Sequence, residues 1–238
     1  MKLSNDQVRF FRLNGYFKLH RVVSDATRAA LAETIRDHVQ RKVPPFRVDD
    51  AENIVRLDQV VQRGGAFREV ATSPKLLDAM AGLLGPNVEL VLNRHNHVTF
   101  NVPHSASFRL HRDVLQWSRA VVTAILYVED STVENGCTHL IPGSHLLPFI
   151  GRPNNGGTWM DEHKEFRGLL QQAIPVPMPV GSALIIDGLA FHTVGINSGS
   201  GTRTSLCLGF HSVDELASGS DPRKLLVRGS RLYKGNDR

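Results

Sequence analysis

The spacing of apolar residues changes roughly a third of the way along the chain, from a helical period to a period typical of strands. Ser24 is followed by a segment, residues 25–41, in which apolar side chains recur every three or four positions. A shorter segment of the same kind follows Ser4. Both serines are typical N-caps. A third helical segment covers residues 73–84 and stops before a Gly-Pro pair. From residue 88 onward, alternating and fully apolar runs predict strands. We therefore predict helices first and a β-rich core after them.

The segment from residue 43 to residue 65 is irregular and polar, with several arginines and aspartates. Such a segment is typical of either a flap over a substrate or an ordinary surface loop. The next predicted strand, 88–101, is polar on both faces in its second half, where His95 and His97 occur. Buried polar groups need partners, so some of these side chains should meet a substrate, a co-substrate or a carboxylate. The pattern does not decide which face of this strand is the inner one.

A candidate metal site occurs in the middle of the chain. His111 and Asp113 are two residues apart, so in an extended strand their side chains would point to the same side. The apolar segment 183–187 predicts a buried strand, which would deliver His192 just beyond its end. Two histidines and one carboxylate with open coordination positions form the facial triad of non-haem Fe(II) oxygenases. The open positions are required because the metal must hold a bidentate co-substrate as well as dioxygen.

Arg203 begins another predicted strand, 203–210. With a period of two, Arg203 shares a face with Ser205, Cys207 and Gly209, all of them small, whereas the other face is apolar. Its guanidinium would therefore point into a space that is free of bulky side chains. That arrangement would suit a small dicarboxylate.

Four segments of the chain, taken in order, resemble the phytanoyl-CoA dioxygenase group of Fe(II)/2-oxoglutarate oxygenases. A bare H-x-D is weak evidence for a family, whereas four matching segments in the right order are strong evidence. The resemblance covers about residues 5 to 212. The segments are Phe10–Tyr16, His111-x-Asp113, the run ENGCTHLIPGSH at Glu134–His145, and His192 followed by Arg203.

The resemblance implies a mainly β fold: a double-stranded β-helix, or cupin-like jelly roll, flanked by N-terminal α-helices. It also implies an enzyme that uses Fe(II), 2-oxoglutarate and dioxygen. Three residues would bind the iron and form the catalytic centre, and others would contact the co-substrate, whose distal carboxylate would pair with the arginine. The implied iron ligands are His111, Asp113 and His192, and the implied co-substrate residues are Arg203, Asn96, Thr99 and Ser205.

For such an enzyme, the expected reaction is oxidation of an unactivated C–H bond, coupled to decarboxylation of 2-oxoglutarate to succinate. The outcome would be hydroxylation or an oxidative ring closure, such as an orthoester or a methylenedioxy bridge, and the sequence does not separate the two. Halogenating relatives replace the carboxylate ligand with Ala or Gly. Asp113 occupies that position here, which disfavours halogenation.

Residues 149–169 are rich in Gly and Asn at first, and then charged and aromatic. A loop of this kind at the mouth of a barrel enzyme is typical of substrate recognition. An aromatic ring can stack on a sugar while amides and carboxylates bind its hydroxyl groups. The alternative to substrate recognition is an ordinary loop that packs against the core through one tryptophan. The expected substrate contacts are Trp159, Asn155, Asp161 and Trp117.

This loop and the compact length of the chain resemble the small oxygenases of orthosomycin oligosaccharide-antibiotic pathways. We therefore predict a small-molecule substrate, in the first place a carbohydrate intermediate of antibiotic biosynthesis. The alternatives are a hydroxylase of a lipid-CoA or an amino acid, and a non-catalytic cupin-type binding protein. A cupin that works without co-substrate would leave Arg203 unexplained.

Other histidines offer a different metal site. Cupins of another type bind metal through H-x-H followed shortly by Glu, and His95 and His97 match the first part of that pattern. No Glu follows them between residues 98 and 108, so this alternative lacks its carboxylate. We expect His139 and His145 to be structural or to support the site indirectly.

With 238 residues, the chain is long enough for one domain with a large core. We predict a single domain over 1–238, with a helical part to about residue 85, a β-helix core over about 86–212 and a basic tail over about 213–238. The net charge is +5, and six basic and two acidic residues from position 221 onward supply +4 of it. We expect a solvated tail and no nucleic-acid partner, and the alternative is that the tail binds a phosphate-rich substrate or partner.

Two cysteines are too few for a disulfide framework, and no apolar run approaches the roughly 20 residues that a bilayer requires. The first residues also lack the apolar segment of a signal peptide. We therefore expect a cytoplasmic protein without a membrane partner. The sequence makes no prediction about the oligomeric state.

Overall fold

The computed structural model describes residues 2–104, 109–114, 121–147, 159–162, 164–213 and 221–231. The α-helices are α1 (Asn5–Asn14), α2 (Asp25–Gln40), α3 (Gly65–Ala71) and α4 (Pro74–Leu84). The strands are β1 (Tyr16–Leu19), β2 (Phe46–Val48), β3 (Ile54–Asp58), β4 (Val88–Asn101), β5 (Val121–Tyr127), β6 (Thr138–Leu140), β7 (Ile174–Val176), β8 (Ala183–Asp187), β9 (His192–Val194), β10 (Arg203–Ser212) and β11 (Lys224–Arg228). Short 3₁₀ segments cover Val61–Arg63, Ser144–Leu146, Met160–Glu162 and Lys164–Gln172.

Two antiparallel sheets form the body of the protein. The large sheet has the order β1-β8-β5-β10-β4-β3-β2, and β11 also pairs with β4. The small sheet has the order β7-β6-β9. A buried apolar cluster joins the two sheets, with Tyr127 and Ile186 from the large one and Leu140 and Val176 from the small one. The expected double-stranded β-helix is confirmed.

The N-terminal helices cover the outer face of the large sheet, as the apolar spacing predicted. The Ser4 side chain accepts a hydrogen bond from the backbone N–H of Gln7, whose side chain accepts one from the N–H of Ser4. Ser24 accepts from the N–H of Thr27 and caps α2 in the same way. These caps satisfy N–H groups that have no partner within the helix.

Alternate residues of neighbouring strands form rows across the large sheet, because directly opposed residues in antiparallel strands point to the same side. One row faces the helices and belongs to the main apolar core: Leu57, Val98, Leu206 and Leu126. The next row faces the small sheet: Arg56, Thr99, Ser205 and Tyr127. The outer face is therefore apolar, and the inner face is mixed.

β4 is not a continuous ladder strand. Asn96 pairs with Leu208 of β10 and Val91 pairs with Gly209, so the four residues Leu92–His95 leave the ladder between two consecutive residues of the partner. Such an insertion bends the strand and redirects its side chains. It explains why the sequence pattern is polar on both faces here.

The polar segment 43–65 is more regular than its pattern predicted. It contains the hairpin β2–β3, whose turn is tied by Asp49, which accepts a hydrogen bond from the N–H of Asn53 at 2.8 Å. β3 pairs with β4, so the hairpin extends the large sheet. The predicted helical part before residue 85 thus also supplies three strands to the β core.

The described part of the basic tail is not a solvated terminus. β11 pairs with β4, and the buried carboxylate of Glu89 lies 3.1 Å from His211 Nε2 and 3.8 Å from Lys224 Nζ, with Arg231 also in contact. The expectation was wrong because two of its basic residues, Lys224 and Arg231, pair with a carboxylate inside the fold. Among the described residues, no helix has the length and apolar character that a membrane span requires.

Candidate metal centre and co-substrate site

Backbone pairing brings the three predicted iron ligands together. His111 and His192 exchange two N–H···O hydrogen bonds, both 2.9 Å long, and the N–H of Asp113 donates to the carbonyl of Gly188 at 2.8 Å. The segment that carries the H-x-D motif is therefore attached to the first residue of β9 and to the turn that precedes β9. This pairing supplies the position that sequence spacing could only indicate.

The ligand atoms of His111, Asp113 and His192 all lie within 4.8 Å of one another. Asp113 Oδ1 is 3.6 Å from His192 Nε2 and 3.8 Å from His111 Nε2. Among the described residues, this is the one group of three or more His, Cys, Asp or Glu side chains with such geometry. A single metal ion could be held between these atoms, with its remaining positions open.

Neighbouring groups orient the ligands. The Thr123 hydroxyl donates to Asp113 Oδ2 at 2.6 Å, which leaves Oδ1 facing the two imidazoles. His192 Nδ1 donates to the carbonyl of Ala190 at 2.9 Å, so Nε2 is the ring nitrogen on the side of Asp113. Hydrogen bonds of this kind fix the ring orientation that a metal ligand needs.

The local electrostatics keep the ligands in the state that binds a cation. Burial, aided by the charge of His192, lowers the pKa of His111 to about 4. Burial acts to raise the pKa of Asp113, but His192, His95 and the Thr123 hydroxyl outweigh it, and the pKa lies below its usual value. At neutral pH, His111 is therefore neutral and Asp113 is a carboxylate.

A third histidine lies beside the candidate centre. His95 Nε2 is 3.7 Å from Asp113 Oδ1, and its Nδ1 is 3.8 Å from Cys207 Sγ. His95 has a backbone φ of 47°, which is uncommon for a residue other than Gly. Its side chain occupies the space over Gly209, where an added Cβ would lie 2.8 Å from the Cβ of His95. The polar pattern of the strand was the available signal, but the insertion that points His95 at the triad is a property of the fold.

The H-x-H alternative gains no support from this geometry. The rings of His95 and His97 are 6.4 Å apart, and His97 is not grouped with the candidate ligands. His139 Nδ1 lies 3.1 Å from the carbonyl of Cys137, and His145 Nε2 lies 3.0 Å from that of Arg12. The last two contacts agree with the structural roles predicted for these histidines.

Arg203 is almost fully buried, with 1% of its surface exposed. Its Nε and Nη1 atoms have no hydrogen-bond partner in the described part of the chain, and its guanidinium lies 5.5 Å from the centre of the Tyr127 ring. Burial lowers the pKa of Arg203, while Tyr127 and Glu129 oppose that effect. A buried guanidinium with unpaired donors is costly until an anion pairs with it. The residue therefore fits a carboxylate ligand inside the barrel.

The other co-substrate candidates divide between the two faces of the sheet. Thr99 and Ser205 oppose each other in the inner row, on the same face as Arg203. Asn96 opposes Leu208 on the outer face, and its amide binds the N–H of Val61 and the carbonyl of Leu92. This placement corrects the expected contact of Asn96 with the co-substrate, because its hydrogen bonds are used to hold the inserted segment.

Two of the four expected substrate residues are described. Trp159 forms a backbone bridge with His111, and their ring centres are 5.1 Å apart. Arg109 lies over the Trp159 ring at 4.3 Å and pairs with both oxygens of Asp161, at 2.9 and 3.0 Å. The structure thus brings Trp159 to the metal centre, with Asp161 held through Arg109. The other two, Asn155 and Trp117, lie outside the described residues.

The fold is a double-stranded β-helix. It holds two histidines and an aspartate as a possible metal site and a buried arginine without an anionic partner. These features together are typical of the Fe(II)/2-oxoglutarate-dependent oxygenases. The chain belongs to the phytanoyl-CoA dioxygenase (PhyH) family, whose model matches residues 11–205. Its cofactors are accordingly iron and 2-oxoglutarate. The resemblance described from sequence motifs is confirmed at this level.

The chain is similar to a methylphosphonate hydroxylase of Gimesia maris, with 23% identity over 227 residues that cover 90% of this chain and 82% of the relative. It is similar to the peroxisomal phytanoyl-CoA dioxygenase of Bos taurus, also with 23% identity, over 87% of this chain and 68% of the relative. In fold it resembles the epimerase SnoN, solved with Fe3+, alpha ketoglutarate and nogalamycin RO. For that structure the TM-score is 0.75 at 19% identity, over 94% of this chain and 98% of that one.

Proposed function

We propose that this oxygenase binds Fe(II) through His111, Asp113 and His192 and oxidises an unactivated C–H bond of a small-molecule natural product. The observation that carries the proposal is the unpaired, buried guanidinium of Arg203 on the inner face that also presents Thr123, the partner of Asp113. A metal-binding protein without a co-substrate would have no use for that buried charge.

In this proposal, Arg203 pairs with the distal carboxylate of 2-oxoglutarate. Thr99 and Ser205 line the same face, and their hydroxyl groups are the available neutral donors beside it. Leu184 and Ile186 of β8, which belong to the apolar cluster between the sheets, exclude water from this side of the barrel. Exclusion of water strengthens the pairing of the guanidinium with a carboxylate.

When bound, iron and 2-oxoglutarate supply the oxidising chemistry: dioxygen and 2-oxoglutarate are consumed, succinate and carbon dioxide are released, and one oxygen atom is available to the substrate. The protein holds Asp113 as a charged ligand through the Thr123 hydroxyl. That carboxylate occupies the place that halogenating relatives leave open, so the proposed outcome is oxygenation or oxidative ring closure.

For the substrate, we propose a carbohydrate-like intermediate of antibiotic biosynthesis, related to the orthosomycin oligosaccharides. Support comes from Trp159, which lies against His111 and could stack on a ring near the metal. The SnoN structure, which contains nogalamycin RO, has a similar fold. Hydroxylation of a lipid-CoA or an amino acid remains the second candidate. It is favoured by the family name and by the phytanoyl-CoA dioxygenase of Bos taurus.

We also propose that the enzyme works in the reducing cytosol as a single domain over residues 1–238. Cys137 and Cys207 are both buried and unpaired, which agrees with a compartment in which disulfides do not form. Burial raises the pKa of both thiols, so neither is poised for thiolate chemistry.

The proposed function is tested without knowledge of the substrate. Metal-free protein is mixed anaerobically with Fe(II) and then with 2-oxoglutarate, and the weak visible charge-transfer band of the bidentate chelate is recorded. We expect the band in wild type and in the exposed control His20→Ala, and no band in His192→Ala. Iron binding without a band in wild type would contradict the assignment of 2-oxoglutarate as co-substrate.

A further inference from the structure

A second concave site lies at the β3–β4 side of the large sheet. Its cavity of about 270 Å³ is lined by three arginines, Arg47, Arg56 and Arg94, together with Asp58 and neutral residues. We call it the arginine pocket. With three guanidinium groups and one carboxylate, the charged side chains of its lining carry a net charge of +2.

The single carboxylate of the pocket, Asp58, orients two of the arginines and leaves their terminal amino groups available to a ligand. Asp58 accepts from Arg47 Nε at 2.9 Å with one oxygen and from Arg56 Nε at 2.6 Å with the other. Both arginines thus use their Nε atoms, and no described residue accepts a hydrogen bond from their terminal amino groups. Arg94 is exposed and has no polar partner in the described part of the chain. The pocket therefore presents several oriented, unused N–H donors.

The arginine pocket is connected to the candidate metal centre in two ways. Arg56 opposes Thr99 in the inner row, so it lies on the face of the sheet that carries Arg203. The inserted segment Leu92–His95 supplies Arg94 to the pocket and directs His95 to within 3.7 Å of Asp113. One short segment thus borders both sites.

The pocket and the metal centre are also close along the chain. Arg94, which lines the pocket, is followed directly by His95, whose Nε2 lies 3.7 Å from Asp113 Oδ1. A substrate held there by one end could place a neighbouring carbon near the metal.

We infer that the arginine pocket binds a phosphate or phosphonate group of the substrate that this enzyme oxidises. A tetrahedral dianion matches the net charge of +2 and can accept from several guanidinium groups at once. The co-substrate has its own cation in Arg203, so these arginines are not needed for 2-oxoglutarate. The inference rests on the proposed function only in assigning the anion to the oxidised molecule.

The first test is binding of inorganic phosphate to the full chain by calorimetry, at constant ionic strength and without 2-oxoglutarate. We expect Arg94→Gln and Arg56→Gln each to weaken phosphate binding by at least about tenfold. The matched control is Arg41→Gln, an exposed arginine that pairs with Asp37 at 3.1 Å away from the pocket, and it should not change the affinity. Equal affinity in wild type and Arg94→Gln, or no saturable binding in wild type, would overturn the inference. Arg94 is exposed, so this variant should fold even if Arg56→Gln does not.

The second test measures proximity to the metal. With Mn(II) in the proposed triad, the 31P relaxation of bound phosphate should be strongly enhanced, and Asp113→Ala should remove the enhancement. Persistence of the full enhancement in Arg94→Gln would mean that phosphate binds the metal directly, which would count against the pocket. Binding without enhancement would place the anion too far away to belong to the substrate and would also overturn the inference.

The third test identifies which molecule carries the anion. Glucose 6-phosphate, a short acyl-CoA and neutral glucose are compared as competitors of phosphate and as promoters of succinate release. Competition by the first or second assigns a sugar phosphate or a CoA ester, and competition by glucose as strong as that by glucose 6-phosphate contradicts an anion site. The charge-transfer band with 2-oxoglutarate is recorded on the same samples, so failure of the oxygenase assignment is distinguished from failure of the pocket.

Discussion

The two faces of the large sheet are made from alternate residues of the same strands, yet one face is apolar and packs in the core whereas the other carries the candidate site. In β10, Leu206 and Leu208 are fully buried against the helices and belong to the main core. The alternate residues Arg203, Ser205 and Cys207 point inward, where Arg203 lies with unpaired donors and Cys207 lies beside His95. The outer face stabilises the fold through apolar burial. The inner face contains a buried charge that destabilises the ligand-free protein but is available to bind an anion.

This contrast explains how the fold can remain stable with a buried, unpaired arginine. Burial of a charge without a partner is unfavourable by several kcal/mol, roughly. Apolar burial on the opposite side of the same strand offsets that cost. We therefore expect substitutions on the inner face to affect activity and ligand binding, and substitutions on the outer face to affect stability.

The largest effect is expected for the metal ligand Asp113. Asp113→Ala should reduce succinate formation by more than about 1,000-fold, or about 4 kcal/mol in the barrier, because the iron loses its anionic ligand. Turnover assays and iron titrations of the purified variant test this. As a graded control, Thr123→Val keeps the ligand but removes its 2.6 Å hydrogen bond, and should cost only about 10- to 100-fold. Full activity in Asp113→Ala would refute the site.

The next effect belongs to the outer face. Leu206→Ala should lower the free energy of unfolding by about 3 kcal/mol, because it leaves a cavity in a fully buried row. Urea unfolding of the metal-free protein measures this. The inward neighbour provides the comparison: Ser205→Ala should change stability by less than about 1 kcal/mol. A weaker affinity of folded Leu206→Ala for 2-oxoglutarate would contradict the proposal that the outer face affects stability and not ligand binding.

A smaller effect is expected for Arg203, and only in ligand binding. Arg203→Ala should raise the Kd for 2-oxoglutarate by about 100-fold, or about 2.7 kcal/mol, because a buried, charge-assisted pair is lost. Titration of the charge-transfer band gives this value, and iron affinity should be unchanged. Stability in the absence of ligand should be equal or higher, because an unpaired buried charge has been removed. A large drop in stability would show that Arg203 has a structural partner instead.

The smallest effect concerns pH. Burial lowers the pKa of His97 to about 3 in the folded protein, whereas in the unfolded chain it is near 6.5. Between these values the unfolded chain binds a proton that the folded protein does not, so stability falls as the pH falls below about 6.5. From pH 7 to pH 5, His97 should account for a loss of about 2 kcal/mol. Urea unfolding of His97→Gln should show a correspondingly weaker pH dependence, whereas the exposed control His20→Gln should follow wild type.

Much of the site could be predicted from the chain itself. The H-x-D pair and the small residues that alternate after Arg203 are local patterns, and strand geometry translates them directly into shared faces. The capping residues Ser4 and Ser24 are local signals of the same kind, and both cap the expected helices. Local geometry is sufficient because each of these inferences involves residues a few positions apart.

Only the tertiary structure decided the inner side of β4, the hairpin β2–β3 and the docking of β11. Strand register depends on which residues of distant strands meet, and a four-residue insertion moves Asn96 outward and His95 toward Asp113 without any change in the local pattern. Gly209, more than a hundred residues further along, leaves the space that His95 fills. The sequence thus determined the chemistry of the ligands, whereas non-local pairing determined which polar residues surround them, because register is settled by the packing of whole strands.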